Sequence, residues 1–297
     1  MKEINIDRKL VEKYFPKRSD FSNKYDFGRV LFIAGSNSMS GACVLSSKAV
    51  LRSGAGLLIG IVTKNMKPLV SPILPEAIFY GFGSGDYIDK GCLNKAIELH
   101  KEKKFDLMLI GPGLGNNLEV SKVVIDFIKK LKIPSVIDAD AINSLSKEKD
   151  ISFLKEIPSI ITPHTGEARR LSKSNDMAMD IAKRSGGIVV LKDFKTVITD
   201  GEKKFIMNSP NSALSKAGSG DVLSGIITGI WAQMGRKYGF TKETAIKSAV
   251  CGVYVHSLCG LVASKKLSKY SVLASDIIEE IPTVLKDFEL WILDDGF

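Results

Sequence analysis

The chain has 297 residues, 44% of them apolar and 25% charged, enough for the core of one large α/β domain or two smaller ones. Its net charge is +9, from 42 basic and 33 acidic residues, but the lysines are scattered in short pairs such as Lys103-Lys104 and Lys129-Lys130. No block of like charge and no basic run interleaved with aromatics supports nucleic-acid binding, whereas attraction for anionic small molecules such as nucleotides fits this balance.

The start, Met1-Lys2-Glu3-Ile4-Asn5, lacks an apolar signal core. No run of about 18 apolar residues predicts a membrane span. The four cysteines, Cys43, Cys92, Cys251 and Cys259, form no C-x-x-C pair, and no His/Cys cluster has zinc-ligand spacing. The expectation is buried free thiols in a reducing cytoplasm.

The first strong element is an apolar run over 28–35, which predicts a buried strand ending in the small polar turn 36–41. A helix over 42–53 and a strand over 57–62 complete a β-α-β unit with parallel strands. The alternation recurs as helix 93–103, strand 105–110, turn 111–115, helix 119–130 and strand 134–138. Shorter strands are predicted over 159–162, 187–191, 196–199 and 204–207, the last two suited to an antiparallel hairpin around Asp200-Gly201. From Gly220 the chain reads as helical, through Ala232 and then over 242–264 and 273–287. No linker or repeat divides it. The expected fold is α/β, one three-layer α/β/α domain over 1–297 with a central, mostly parallel sheet flanked by helices.

Functional residues in such folds gather at the carboxyl ends of strands, and the turns 35–41, 111–115, 138–140, 162–167 and 192–196 all follow strands. Ala217-Gly218-Ser219-Gly220-Asp221 instead opens a long apolar helix. Its outward N–H groups and the helix dipole suit an anion, with Asp221 beside it as a base, which is the equipment for phosphoryl transfer. The same residues also suit an ordinary helix cap.

Gly111-Pro112-Gly113-Leu114-Gly115 imitates a dinucleotide-binding turn, but the third glycine should fall at position 116, which is Asn116, and Pro112 stiffens the loop. It is either a tight connection or a flat backbone surface that a substrate approaches at Gly113. In Asp138-Ala139-Asp140, Asp140 caps the next helix, or one of the pair holds a metal-bound water near phosphates. His164 is structural or functional, and Glu167 is a third-position helix residue or a ligand for water or magnesium. Lys192-Asp193-Phe194-Lys195-Thr196 is a solvated turn, or a place where Lys192 and backbone groups meet a nucleotide phosphate. The chain contains neither G-x-x-x-x-G-K-[ST] nor G-x-S-x-G, which argues against a P-loop enzyme and an α/β-hydrolase.

Seven segments in order complete the picture: Lys24-Tyr25-Asp26-Phe27-Gly28-Arg29-Val30, Gly35-Ser36-Asn37-Ser38-Met39-Ser40-Gly41-Ala42, Leu51-Arg52-Ser53-Gly54-Ala55-Gly56-Leu57, the 111–115 turn, Asp138-Ala139-Asp140-Ala141-Ile142-Asn143, Thr162-Pro163-His164-Thr165-Gly166-Glu167, and Ala217 to Leu223. Together they resemble the ADP-dependent NAD(P)HX dehydratases of the ribokinase-like superfamily, over about residues 20–285. The resemblance implies a ribokinase-like fold and a repair reaction. The S-form of hydrated NADH or NADPH is dehydrated back to NAD(P)H while ADP becomes AMP and phosphate.

It further implies Asp221 as catalytic base, with Ala42, Gly113, His164 and Asp221 lining the hydrated dinucleotide. Lys192, Asp193, Phe194, Lys195 and Thr196, with Gly218, Ser219 and Gly220, are implied to bind ADP. Mg²⁺ is expected on the phosphates, with its protein ligands unassigned. A homotetramer, a cytoplasmic location and a separate NAD(P)HX epimerase as pathway partner also follow from the resemblance, with no nucleic-acid or membrane partner.

The family often reads Lys-Gly-Ala-x-Thr where this chain has Lys192-Asp193-Phe194-Lys195-Thr196, which bears on the adenine side. The loop 210–216 lacks a common Asn-Pro-Gly-Met, and Lys216 there either adds charge near the phosphate or is solvated. Only about 20 residues precede the first matched motif, so no companion epimerase domain is expected in this chain. The competing expectation is a small-molecule kinase of the same fold, such as a hydroxyethylthiazole or hydroxymethylpyrimidine kinase. Such a kinase is not expected to carry the 163–167 run in this context. A non-catalytic nucleotide-binding module is a third reading, opposed by the intact Asp221.

Overall fold

The structure is a computed structural model that describes residues 3–83 and 85–294, so the outermost residues of the expected domain lie outside the described residues. Ten strands form one sheet: β1 (Glu3–Asn5), β2 (Arg29–Ile33), β3 (Leu57–Thr63), β4 (Ile78–Phe82), β5 (Leu107–Ile110), β6 (Ser135–Ile137), β7 (Ser159–Ile161), β8 (Ile188–Leu191), β9 (Lys195–Thr199) and β10 (Lys204–Asn208). Their order is β1-β10-β9-β8-β7-β6-β5-β2-β3-β4. All neighbours from β8 to β4 are parallel. β9 runs antiparallel to both β8 and β10, and β1 closes that edge parallel to β10.

The helices are α1 (Arg8–Tyr14), α2 (Ser40–Arg52), α3 (Lys67–Val70), α4 (Lys90–Lys103), α5 (Leu118–Leu131), α6 (Asp140–Leu145), α7 (Thr165–Leu171), α8 (Met177–Ser185), α9 (Ser219–Tyr238), α10 (Lys242–Leu267), α11 (Ala274–Glu279) and α12 (Ile281–Asp294). The two-residue period of the strands divides the core between the faces of the sheet. Val30, Phe32, Leu107 and Leu109 pack into the layer formed by α2, α9 and α10. Leu31, Ile33, Met108 and Ile110 pack into the layer of α4, α5 and α8. Burial on both faces explains why β2 and β5 read as unbroken apolar runs.

The expected three-layer α/β/α sandwich is therefore the fold, with three corrections. β1 and β4 were not expected. β1 is a three-residue edge strand with mostly exposed side chains, and β4 is an edge strand interrupted by Gly81. The predicted hairpin of β9 and β10 extends to β8, which also pairs antiparallel to β9. Finally, α10 is long and apolar enough by length and composition to cross a membrane, but 78% of its most apolar window is buried inside the protein. It is apolar all round because it lies between the sheet, α9 and α12. All four cysteines are free and buried.

Candidate active site

The five strand-end turns singled out in the sequence follow β2, β5, β6, β7 and β8, which are consecutive neighbours in the sheet. They form a row along its carboxyl edge. Between β2 and β5 the strand order reverses, since β3 and β4 lie to one side and β6 to β8 to the other; this is the position where open α/β sheets bind ligands. The Gly35 N–H donates to the Pro112 carbonyl at 2.7 Å and ties the two turns together. Gly113 has φ +64°, and a Cβ there would lie 2.9 Å from the Ala42 Cβ and 3.0 Å from the Met39 carbonyl oxygen. The structure thus brings Ala42 and Gly113 together in this crevice.

Asp140 does not cap its helix. Ala139 occupies the cap position with φ 48°, and Asp140, the first helical residue, accepts the Gly115 N–H at 2.8 Å and the Asn143 amide at 3.2 Å. The carboxylate thereby fixes the glycine turn.

In the middle of the row, the end of β6 meets the start of α9. Gly218 opens α9 with φ 87°, and a Cβ there would clash with Leu45 at 2.6 Å. No side chain caps this helix. Ser219 donates its N–H to the Lys216 carbonyl at 3.2 Å, and Val222 donates to Gly218 at 3.1 Å. Among the described residues the Gly220 and Asp221 N–H groups have no protein acceptor. Two free amides at the positive end of a 20-residue helix make an anion cradle. Of the three amides named from the sequence, that of Ser219 is already bonded.

Asp138 is 1% exposed, and its Oδ1 accepts from Lys192 Nζ at 2.8 Å and from the Thr162 hydroxyl at 2.7 Å. Its Oδ2 is buried with no partner. Burial pulls the Lys192 pKa down, but Asp138 and Glu167 more than compensate, so the ammonium is held above its ordinary range. Lys192 Nζ also lies 3.3 Å from where a Cβ on Gly220 would stand, so the cation reaches the cradle. Asp221 is pushed up to about 7, first by burial and then by the charge of Asp138, with Lys192 offsetting part of the rise. A carboxylate tuned to neutrality beside an anion cradle can take and return a proton.

His164 caps α7. Its Nδ1 accepts from the Gly166 N–H at 2.9 Å and the Glu167 N–H at 3.3 Å, while Glu167 accepts the His164 N–H at 2.9 Å. Glu167 is thus the third-position helix residue of the two readings. The imidazole is left with its proton on Nε2, and burial, then Lys192 and Arg170, hold its pKa below the ordinary value. His164 stands on the wall of a cavity of about 840 Å³, with its Nε2 3.6 Å from Glu167 Oε1.

That cavity is also lined by Lys192, Asp193, Phe194, Thr196, Ser219 and Gly220. Lys195 does not line it: the strand alternation of β9 turns it the other way, and it pairs with Glu3 at 3.7 Å. Asp193 accepts from the Thr165 hydroxyl at 3.0 Å and ties its loop to the His164 loop. Phe194 is 73% exposed at the wall. Lys216 is exposed and lines the cavity, and so does buried His256 from α10, which no sequence motif marked. Among the described residues no three His, Cys, Asp or Glu side chains form a metal cage.

The fold superimposes with a TM-score of 0.81 on a ribokinase-like superfamily protein of Enterococcus faecalis, at 27% identity over 96% of each chain, so the mostly parallel α/β/α sheet is ribokinase-like. The chain superimposes with a TM-score of 0.80 on the ADP/ATP-dependent NAD(P)H-hydrate dehydratase of Bacillus subtilis co-crystallised with ATP/Mg²⁺, at 28% identity over 96% of this chain and 98% of that one. The NAD(P)H-hydrate dehydratase family model matches residues 30–283, and the chain belongs to that family. It is 31% identical to the ADP-dependent (S)-NAD(P)H-hydrate dehydratase of Listeria monocytogenes, over 95% of this chain and 96% of that protein. It is also 31% identical to the bifunctional NAD(P)H-hydrate repair enzyme Nnr of Thermofilum pendens, over 92% of this chain and 53% of that protein. The chain therefore spans about half the length of the bifunctional relatives it matches.

Proposed function

We propose that this chain dehydrates the S-form of hydrated NADH and NADPH at the expense of ADP, giving NAD(P)H, AMP and phosphate. The observation that carries the reading is the start of α9, where a carboxylate raised to about 7 stands beside two unpaired N–H groups and within reach of Lys192. Hydroxide is a poor leaving group and the ring hydroxyl a weak nucleophile. Asp221 takes the hydroxyl proton as that oxygen attacks the terminal phosphorus of ADP, and AMP leaves. The Gly220 and Asp221 amides and Lys192 hold the charge that develops on the phosphoryl oxygens. The ring carbon–oxygen bond then breaks, phosphate departs with the electron pair, and the adjacent carbon gives up a proton to the departing phosphate as the double bond reforms.

The dinucleotide lies against the flat surface of Ala42 and Gly113, with His164 beside it. ADP occupies the cavity walled by Lys192, Asp193, Phe194, Thr196, Ser219 and Gly220. Magnesium fits this donor set as a phosphate-borne ion. Asp138 Oδ2 is buried without a partner, and a cation borne by the phosphates would offset the acidic groups Asp138, Asp140 and Glu167 around Asp221. Asp140 and Glu167 would hold it through water, and it would neutralise phosphate charge when bound. We further propose that the chain works as one domain within a homotetramer, in a cytoplasmic setting that suits four free buried thiols, with a separate epimerase as pathway partner.

The test is recovery of the NADH absorbance band when hydrated NADH, Mg²⁺ and ADP are mixed with the protein. Recovery that depends on ADP is expected. Absence of recovery together with phosphorylation of hydroxyethylthiazole or hydroxymethylpyrimidine overturns the reading.

A further inference from the structure

His256 lies midway along α10, is 8% exposed, and places its Nε2 3.2 Å from the hydroxyl of Ser219, which is 3% exposed. The reaction derived above uses neither side chain, yet both line the cavity. A polar ring buried in an apolar helix needs a partner, and Ser219 is the one its geometry supplies. Ser219 lines the cavity and its N–H is bonded to the Lys216 carbonyl, so the donor that residue 219 has left to offer is its hydroxyl.

The direction of this one hydrogen bond decides what the hydroxyl does. If the imidazole nitrogen accepts, the serine proton points into α10 and the cavity sees only lone pairs. If the nitrogen donates, the serine oxygen is satisfied as acceptor and its proton is free to point outward. Burial and the charge of Lys192 push His256 down to about 4, so the ring is neutral and holds one N–H. The groups flanking Ser219 are donors, namely the free Gly220 amide and Lys192, so an anion between them favours a third donor.

We propose that His256 donates its Nε2–H to Ser219 Oγ and so turns the serine proton into the cavity, where it donates to a phosphate oxygen of ADP. Ser219 is the contact and His256 its positioning residue. The proposal rests on the nucleotide reading given above.

Two measurements test it on the full chain. The chain has three histidines, so nitrogen-15 NMR of the labelled imidazoles resolves each tautomer. His256 is expected as the Nε2–H form without any ligand, and an Nδ1–H form overturns the proposal. ADP affinity is then measured by calorimetry, without hydrated dinucleotide, for Ser219→Ala, His256→Ala, His256→Asn and the double alanine variant, with melting temperatures alongside. Each alanine change is expected to weaken ADP by about tenfold, and the double variant no further, because both remove one directed hydrogen bond. His256→Asn, which keeps a donor, is expected to recover part of the loss, and it carries the test if the alanine variant does not fold. Unchanged ADP affinity in the His256 variants, or losses that multiply in the double variant, overturn this proposal alone. Failure of the unmodified chain to bind ADP overturns the nucleotide reading and this inference with it.

Discussion

Two carboxylates share one electrostatic neighbourhood but sit in different structural settings. Asp138 ends β6, is sealed from solvent, and holds Lys192 at 2.8 Å and Thr162 at 2.7 Å. Asp221 begins α9, is partly exposed, and has no ion pair among the described residues. One lysine serves both, and geometry gives its contact to Asp138 and only its distant field to Asp221. Asp221, pushed up to about 7, is therefore free to exchange a proton, while Asp138 serves as the anchor that keeps Lys192 at the cradle. Environment, not residue type, divides the two roles.

Removing the exchangeable proton gives the largest effect. Asp221→Asn is expected to lower the rate of ADP-dependent NADH recovery by roughly 10²–10⁴-fold while ADP affinity by calorimetry stays within a few-fold. Full turnover in this variant would falsify the assignment of the base.

Removing the anchor comes next. Asp138→Asn leaves the part-buried Lys192 ammonium without its charged partner and is expected to cost about 2 kcal/mol in urea unfolding. Loss of the Asp138 charge, and release of Lys192 to turn to Asp221, both favour the charged form of Asp221. The acid limb of the kcat/KM profile, expected near pH 7 in the unmodified chain, should move to lower pH. A limb that stays in place means that neither Asp138 nor Lys192 sets the proton affinity of Asp221.

Stability against pH isolates Asp221 from catalysis. Its folded pKa lies above the ordinary value of 3.8, so between about 4 and 7 the folded state holds a proton that the unfolded state has lost. Stability falls as pH rises through that window. Asp221→Asn removes this slope. The variant is expected to match the unmodified protein below about pH 4 and to exceed it above pH 7, by up to about 4 kcal/mol for a rise from 3.8 to about 7. Equal unfolding free energies at pH 8 would show that Asp221 is not strained by ionisation.

Much of this comparison was legible in the sequence, and its decisive part was not. The turns 111–115, 138–140, 162–167 and 192–196 stood out because glycine and acid clusters follow apolar runs, a local pattern. The Asp138–Lys192 contact spans 54 residues and exists only because β6, β7 and β8 lie side by side, which composition does not encode. The cap at His164 and Glu167 was readable from their spacing of three, whereas the tie of Asp140 to Gly115 needed the fold. His256 gave no signal, since its helix reads as core and its partner is 37 residues away. Among the strands, β1 and β4 were lost because edge strands show neither continuous apolarity nor clean alternation.

The mildest change perturbs shape and leaves every charge in place. Gly113 holds φ +64°, where an L side chain costs about 1–2 kcal/mol, and a Cβ there would press on the Ala42 Cβ at 2.9 Å. Gly113→Ala is therefore expected to lift the surface of the crevice between β2 and β5 by a few tenths of an ångström without touching Lys192, Asp138 or Asp221. If the dinucleotide lies on that surface, KM for hydrated NADH should rise several-fold. KM for ADP and the acid limb near pH 7 should stay unchanged, since neither the cavity nor the lysine has moved. A shift of that limb would mean that the crevice and the two acids are coupled through the sheet. A rise in the KM for ADP would instead place the nucleotide, and not the dinucleotide, against Gly113.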